Sequence, residues 1–177
     1  DGRYIWHSRR NGAWNYNAQL PQYQLSVYDR ETGESETMTS RYGSAFTPTL
    51  SPNGNLLVYG TRYEDQTGLV LRSLTTGNEK WLAYPIQHDE QESRATMDVL
   101  PGMSFTPDNQ FLVTAYGGKI YKIPVSGGAA VNIPFEVYSF TCPLREGRRY
   151  LESGVSFDTS NASINELLNS NMKKQTY

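Results

Sequence analysis

The stretch FTPTLSPNGNLLVYGTR, residues 46–62, is echoed by SFTPDNQFLVTAYGG at residues 104–118 and, in shortened form, by DGRYIWHSRR at residues 1–10. In each copy a turn pair, Asp1-Gly2, Asn53-Gly54 or Asp108-Asn109, leads into a β-prone run: Tyr4-Ile5-Trp6, Leu56-Leu57-Val58 or Phe111-Leu112-Val113. Gly2, Gly54 and Asn109 thereby become equivalent, 52 and 55 residues apart. Gly and Asn accept a positive φ, so the spacing predicts a tight connection entering a buried strand, three times over.

A second element repeats downstream: YQLSVYDRETGESETMT, GLVLRSLTTGNEKWLA and GKIYKIPVSGGAAVNIP. These align Gly33, Gly77 and Gly128, with Leu25, Leu69 and Ile120 each eight residues earlier. Leu25 with Val27, and Leu69 with Leu71, alternate with polar or solvent-tolerant positions, which predicts half-buried strands. Pro124 has no amide donor and belongs at a strand end or an edge.

Each unit then reads strand, Pro-containing turn, strand, variable loop, strand, Gly turn, strand. Four short antiparallel strands make one blade of a β-propeller. The variable loop is NGAWNYNAQLPQ in the first unit, YEDQTG in the second and almost absent in the third. The expected fold is all-β: a partial β-propeller of about three four-stranded antiparallel blades, at roughly 1–42, 43–86 and 100–135, followed by a divergent C-terminal tail, 136–177. FEVYSF offers one further strand and SINELLNSNMKK a short helix. A β-sandwich is the alternative; two recurring elements in one order favour the propeller.

Charge narrows the partners. A net charge of -2, from 16 basic and 18 acidic residues spread along 177, leaves no basic stripe for nucleic acid. No apolar run approaches the roughly 20 residues of a membrane span, and DGRYIWHSRR lacks the apolar core of a signal peptide. The single cysteine, Cys142, makes no internal disulfide.

Catalytic patterns are missing too. His7 and His88 are isolated, Cys142 has no histidine nearby, and no Gly-x-Ser-x-Gly elbow occurs. HDE at 88–90 supplies one imidazole in a polar connector, and YGGK at 116–119 reads as a short hairpin. The sequence therefore assigns no catalytic, cofactor-binding or metal-ligating residue, and the chain is expected not to be an enzyme by itself. Four residues stand out for an interaction surface. Trp14 and Tyr16 lie in the long first loop. Glu92 and Arg94 lie in the connector ESRAT, where they either pin that loop to its own blade or contact a partner domain through charge-assisted hydrogen bonds. Trp6, Tyr23, Tyr59, Tyr63 and Trp81 are expected to pack between blades.

LSPNGNLLVYG, FTPDNQFLV and DGRYIWHS resemble the Ser-Pro-Asp-Gly repeats of TolB-type, WD40-like propellers. Asp1-Gly2 keeps the Asp-Gly pair, while Asn53 and Asn109 depart from it conservatively. Residues 88–135, which include ESRATMDVLPG, are similar to the propeller part of large bacterial proteins that join such a propeller to a metal-dependent amidohydrolase domain. That resemblance implies a scaffold or substrate gate with no cofactor of its own, beside a catalytic domain needing a divalent metal such as zinc. It also implies a periplasmic or secreted setting, with that domain or other envelope proteins as partners. The repeat is shared with TolB-like interaction modules of the envelope and with tricorn- and prolyl-oligopeptidase-type propellers. Because the chain opens on the turn of a repeat, it is expected to be a segment of a longer ring.

Overall fold

A computed structural model describes residues 2–10, 19–88, 91, 100 and 102–136. Those residues form eleven strands and no helix. The first sheet holds β1 (Tyr4–Arg10), β2 (Tyr23–Asp29) and β3 (Ser35–Thr37), in that order. The second holds β4 (Phe46–Leu50), β5 (Leu56–Tyr63), β6 (Gln66–Ser73) and β7 (Glu79–His88), again in chain order. The third holds β8 (Ser104–Phe105), β9 (Phe111–Tyr116), β10 (Lys119–Pro124) and β11 (Val131–Ile133). Every pairing is antiparallel between chain neighbours. These are blade meanders, and the fold is a partial β-propeller; the first sheet has three strands among the described residues, not four.

The repeated turns close by repeated hydrogen bonds. Gly2, Gly54 and Asn109 all sit at positive φ, at 75°, 72° and 60°. Ser51 and Thr106 each take an amide and a hydroxyl role: the Leu56 N–H donates to Ser51 Oγ at 2.9 Å, and the Phe111 N–H to Thr106 Oγ1 at 3.1 Å. The Asn55 and Gln110 amides donate to the carboxamide of Asn53 and the carboxylate of Asp108, each at 3.1 Å. The residue just after β2, β6 or β10 donates back to the residue just before β1, β5 or β9: Arg30 to Arg3, Leu74 to Asn55 and Val125 to Gln110. In the first sheet a bidentate pair reinforces this corner, with Arg3 Nη2 2.6 Å and Nε 3.0 Å from the Asp29 carboxylate.

Pro124 ends β10, where its missing N–H breaks the pattern. Asp29 and Ser73 donate to the carbonyls of Glu34 and Asn78 and accept the Gly33 and Gly77 amides; Pro124 cannot donate, but its carbonyl likewise accepts the Gly127 N–H.

The core lies between blades. Leu57, Tyr59 and Val70 of the second sheet pack with Leu25 and Ala45 and against Trp6, toward the first sheet. Val58, Leu69 and Leu71 pack with Phe105, Leu112 and Ile123 of the third. The central strands of the second sheet are thus buried on both faces, which explains their unbroken apolar runs. The expected half-buried alternation fails there, because Val70 is as buried as Leu69 and Leu71. Gly60 leaves room for Phe46, its partner on β4, and for Leu100: a Cβ there would meet them at 2.5 Å and 2.6 Å. Each fully buried Leu contributes roughly 1.5–3 kcal/mol of transfer free energy.

Candidate interaction surface

YEDQTG proves not to be a loop. β5 runs to Tyr63, a two-residue turn holds Glu64 and Asp65, and β6 starts at Gln66, with Tyr63 opposite Gln66. Tyr63 therefore continues the strand row of Leu57, Tyr59 and Thr61. Trp81 pairs with Val70, which pairs with Tyr59, so it shares that side of the sheet. Strict alternation would send Tyr84 to the opposite side. The register shifts of β7 against β6, between Thr67 and Val70, bring it back.

The result is an aromatic cluster formed by Tyr63 at the end of β5 with Trp81 and Tyr84 of the outermost strand, β7. Ring centroids are 6.1 Å apart for Tyr63 and Trp81, 5.7 Å for Tyr63 and Tyr84, and 5.1 Å for Trp81 and Tyr84. Gly68 makes the floor, since a Cβ there would lie 2.7 Å from both Trp81 and Tyr84. The Tyr84 hydroxyl donates to the Tyr63 carbonyl at 3.1 Å. Desolvation, followed by the Glu64 and Asp65 carboxylates, pushes the Tyr84 phenol up. Yet the three side chains remain 56%, 43% and 37% exposed for Tyr63, Trp81 and Tyr84. Large aromatics left in water on a strand face are costly unless something covers them. The expectation that Tyr63 and Trp81 pack between blades is overturned, whereas Trp6 and Tyr59 do pack there.

Polar groups elsewhere are occupied in joining blades. Arg41, in the segment between the first two sheets, lies with Nη1 2.9 Å from Glu79 Oε2. The buried Tyr59 hydroxyl donates to Glu79 Oε1 at 2.8 Å, and Arg41 Nε donates to Thr61 Oγ1 at 3.2 Å. Burial, with the Glu79 hydrogen bond second, pushes the Tyr59 phenol well up. Gln24 receives the Thr39 hydroxyl at 2.7 Å and the Arg41 amide at 3.0 Å. This network positions a connector and offers no nucleophile with a base. Grooves of about 1180 Å³ and 670 Å³ open between successive sheets; the first is lined by Trp6, Glu34, Glu36 and Arg72, the second by Leu71, Glu79, Lys80 and Phe111. They are wedges between twisted sheets.

His88 ends β7 opposite Gln66, in a strand and not in a polar connector. Among the described residues no group of three or more His, Cys, Asp or Glu side chains could hold a metal, and no helix is long and apolar enough to cross a membrane. Trp14, Tyr16, Glu92, Arg94, Cys142 and the strand and helix expected in the tail lie outside the described residues, apart from Phe135 and Glu136 of FEVYSF. The cluster of Tyr63, Trp81 and Tyr84 was missed by the sequence reading because a bulge assembles it. The one available signal was Gly68 in a strand, which marks a close approach.

A blade stack with an exposed aromatic patch is a propeller module, and solved structures agree on the fold. No protein-family model matches the sequence, and no curated protein matches it. The chain is similar to the putative TolB of Agrobacterium tumefaciens, with a TM-score of 0.58, 14% identity and 77% of this chain covered. It is also similar to TolB of Acinetobacter baumannii, with a TM-score of 0.52, 17% identity and 77% covered. It spans 44% and 32% of those two chains respectively. The blades are TolB-like in fold.

Proposed function

We propose that this chain is a non-catalytic propeller segment that acts by contact, as a scaffold or substrate gate on the amidohydrolase-like, metal-dependent domain of a larger bacterial protein in a periplasmic or secreted setting. The observation that carries the contact role is the exposed cluster of Tyr63, Trp81 and Tyr84, because solvent-facing Tyr and Trp are the residues most often found at binding hot spots. Support for the amidohydrolase parent comes from the resemblance of residues 88–135. A divalent metal such as zinc would belong to that other domain. A second reading, a module that binds other envelope proteins, is favoured by the likeness to two TolB structures.

Two measurements test this. Sequence adjoining the chain in its parent gene is expected to carry a His-x-His strand motif; further blades and a stop would favour the envelope module, and a Gly-x-Ser-x-Gly elbow a peptidase. The chain by itself, given amide and ester substrates with added zinc, is expected to show no turnover. Turnover that disappears in His88→Ala would overturn the non-catalytic reading.

A further inference from the structure

We propose that the Tyr63, Trp81 and Tyr84 cluster binds a cationic side chain, arginine or lysine, presented by a protein partner. This rests on the contact role proposed above and gives that contact its chemistry. The rings are inclined to one another, at 65° and 78° for Tyr63 against Trp81 and Tyr84 and at 45° between those two. Their centroids lie 5.1–6.1 Å apart, so one cation reaches more than one ring within the roughly 6 Å range of cation–π attraction.

Charge favours the same occupant. The turn beside the cluster carries Glu64 and Asp65, and its shape is fixed: Glu64 sits at φ 56° and accepts Arg62 Nε on its carbonyl. With Arg62 counted against the two carboxylates the turn stays net negative, and beside three negative ring faces it favours a cation over an anion. The chain uses this pairing internally, with Arg41 5.8 Å over Tyr59, Arg10 5.7 Å over Tyr23 and Lys122 3.8 Å over Phe111. The shape decides between a protein side chain and a free small cation. Small ligands are held in concave sites that bury most of their surface, whereas these rings form an open platform. A platform suits a side chain whose remaining affinity comes from the protein carrying it.

The test uses the full chain with ¹⁵N-labelled indoles, Trp81 being assigned by its loss in Trp81→Leu. It is titrated with a capped Gly-Gly-Arg-Gly-Gly peptide and with the same peptide carrying norleucine. The arginine peptide is expected to move the Trp81 signal and leave Trp6 in place, and to bind several-fold more tightly than the norleucine peptide. Trp81→Leu and Tyr63→Leu are each expected to weaken it about threefold to thirtyfold. Should Trp81→Leu fail to fold, Tyr63→Leu, at the most exposed ring, carries the comparison. Glu64→Gln combined with Asp65→Asn is expected to weaken the arginine peptide and flatten its salt dependence. Equal binding of both peptides overturns the cationic preference while leaving an apolar contact surface standing. If neither peptide moves Trp81, the inference fails; a partner domain that still shifts Trp81 would preserve the contact role, and one that does not would remove both.

Discussion

Asn109 does two things at once. It holds a turn at φ 60°, and its Oδ1 accepts the Asn53 N–H from the neighbouring blade at 3.0 Å. Asn109→Gly keeps the turn and loses the bridge, an expected cost of roughly 0.5–1.5 kcal/mol. Asn109→Ala loses the bridge and adds left-handed strain of about 1–2 kcal/mol, so urea unfolding is expected to rank Ala below Gly. Equal stabilities would mean that the turn does not need its positive φ. Asp29 supplies a second test. Hydrogen bonds from Arg3 lower its carboxyl from 3.8 to about 2. A lowered folded value means that the ionised form is favoured by the fold: the contribution is present above about pH 4 and is lost as pH falls toward 2. Melting temperatures between those limits are expected to fall less steeply for Asp29→Asn than for the natural chain. Parallel slopes would leave the Arg3 pair without a role in stability.

Strands show where sequence reading reached and where it stopped. The turns were legible because positive φ restricts composition so sharply that Gly2, Gly54, Asn109, Gly33 and Gly77 announce themselves. Burial of Val70 was not, because which faces of a strand are covered depends on neighbouring sheets that no local window contains. The aromatic cluster was hidden for a similar reason: a register shift in β7 decides that Trp81 and Tyr84 share a side, and register is a property of two strands. Trp14, Tyr16, Glu92 and Arg94 lie outside the described residues, so the sequence-based surface and the observed one are different sets. Three substitutions belong to this scale. Leu57→Ala, in a strand covered on both faces, is expected to cost about 2–5 kcal/mol by urea unfolding, and Val131→Ala, on a short exposed strand, about 0.5 kcal/mol or less. Gly68→Ala is expected to push Trp81 and Tyr84 off their floor and change the Trp81 fluorescence. An unchanged spectrum would show that the rings do not rest there.

The three described blades form a stack in which the second is the filling. One of its faces is closed by Leu25 and Ala45, the other by Phe105, Leu112 and Ile123, and the ties between sheets run through Arg41, Glu79, Asn53 and Asn109. The stacking leaves the Tyr63, Trp81 and Tyr84 cluster uncovered. Native-state amide exchange on the intact chain tests that arrangement most directly, because protection follows burial and cooperative packing. The slowest exchange is expected at hydrogen-bonded amides of β5 and β6, from Leu57 to Thr61 and from Leu69 to Leu71, with β3 and β11 exchanging far faster. Protection spread evenly over the three sheets, or greatest in β3 or β11, would contradict a second blade packed between the other two.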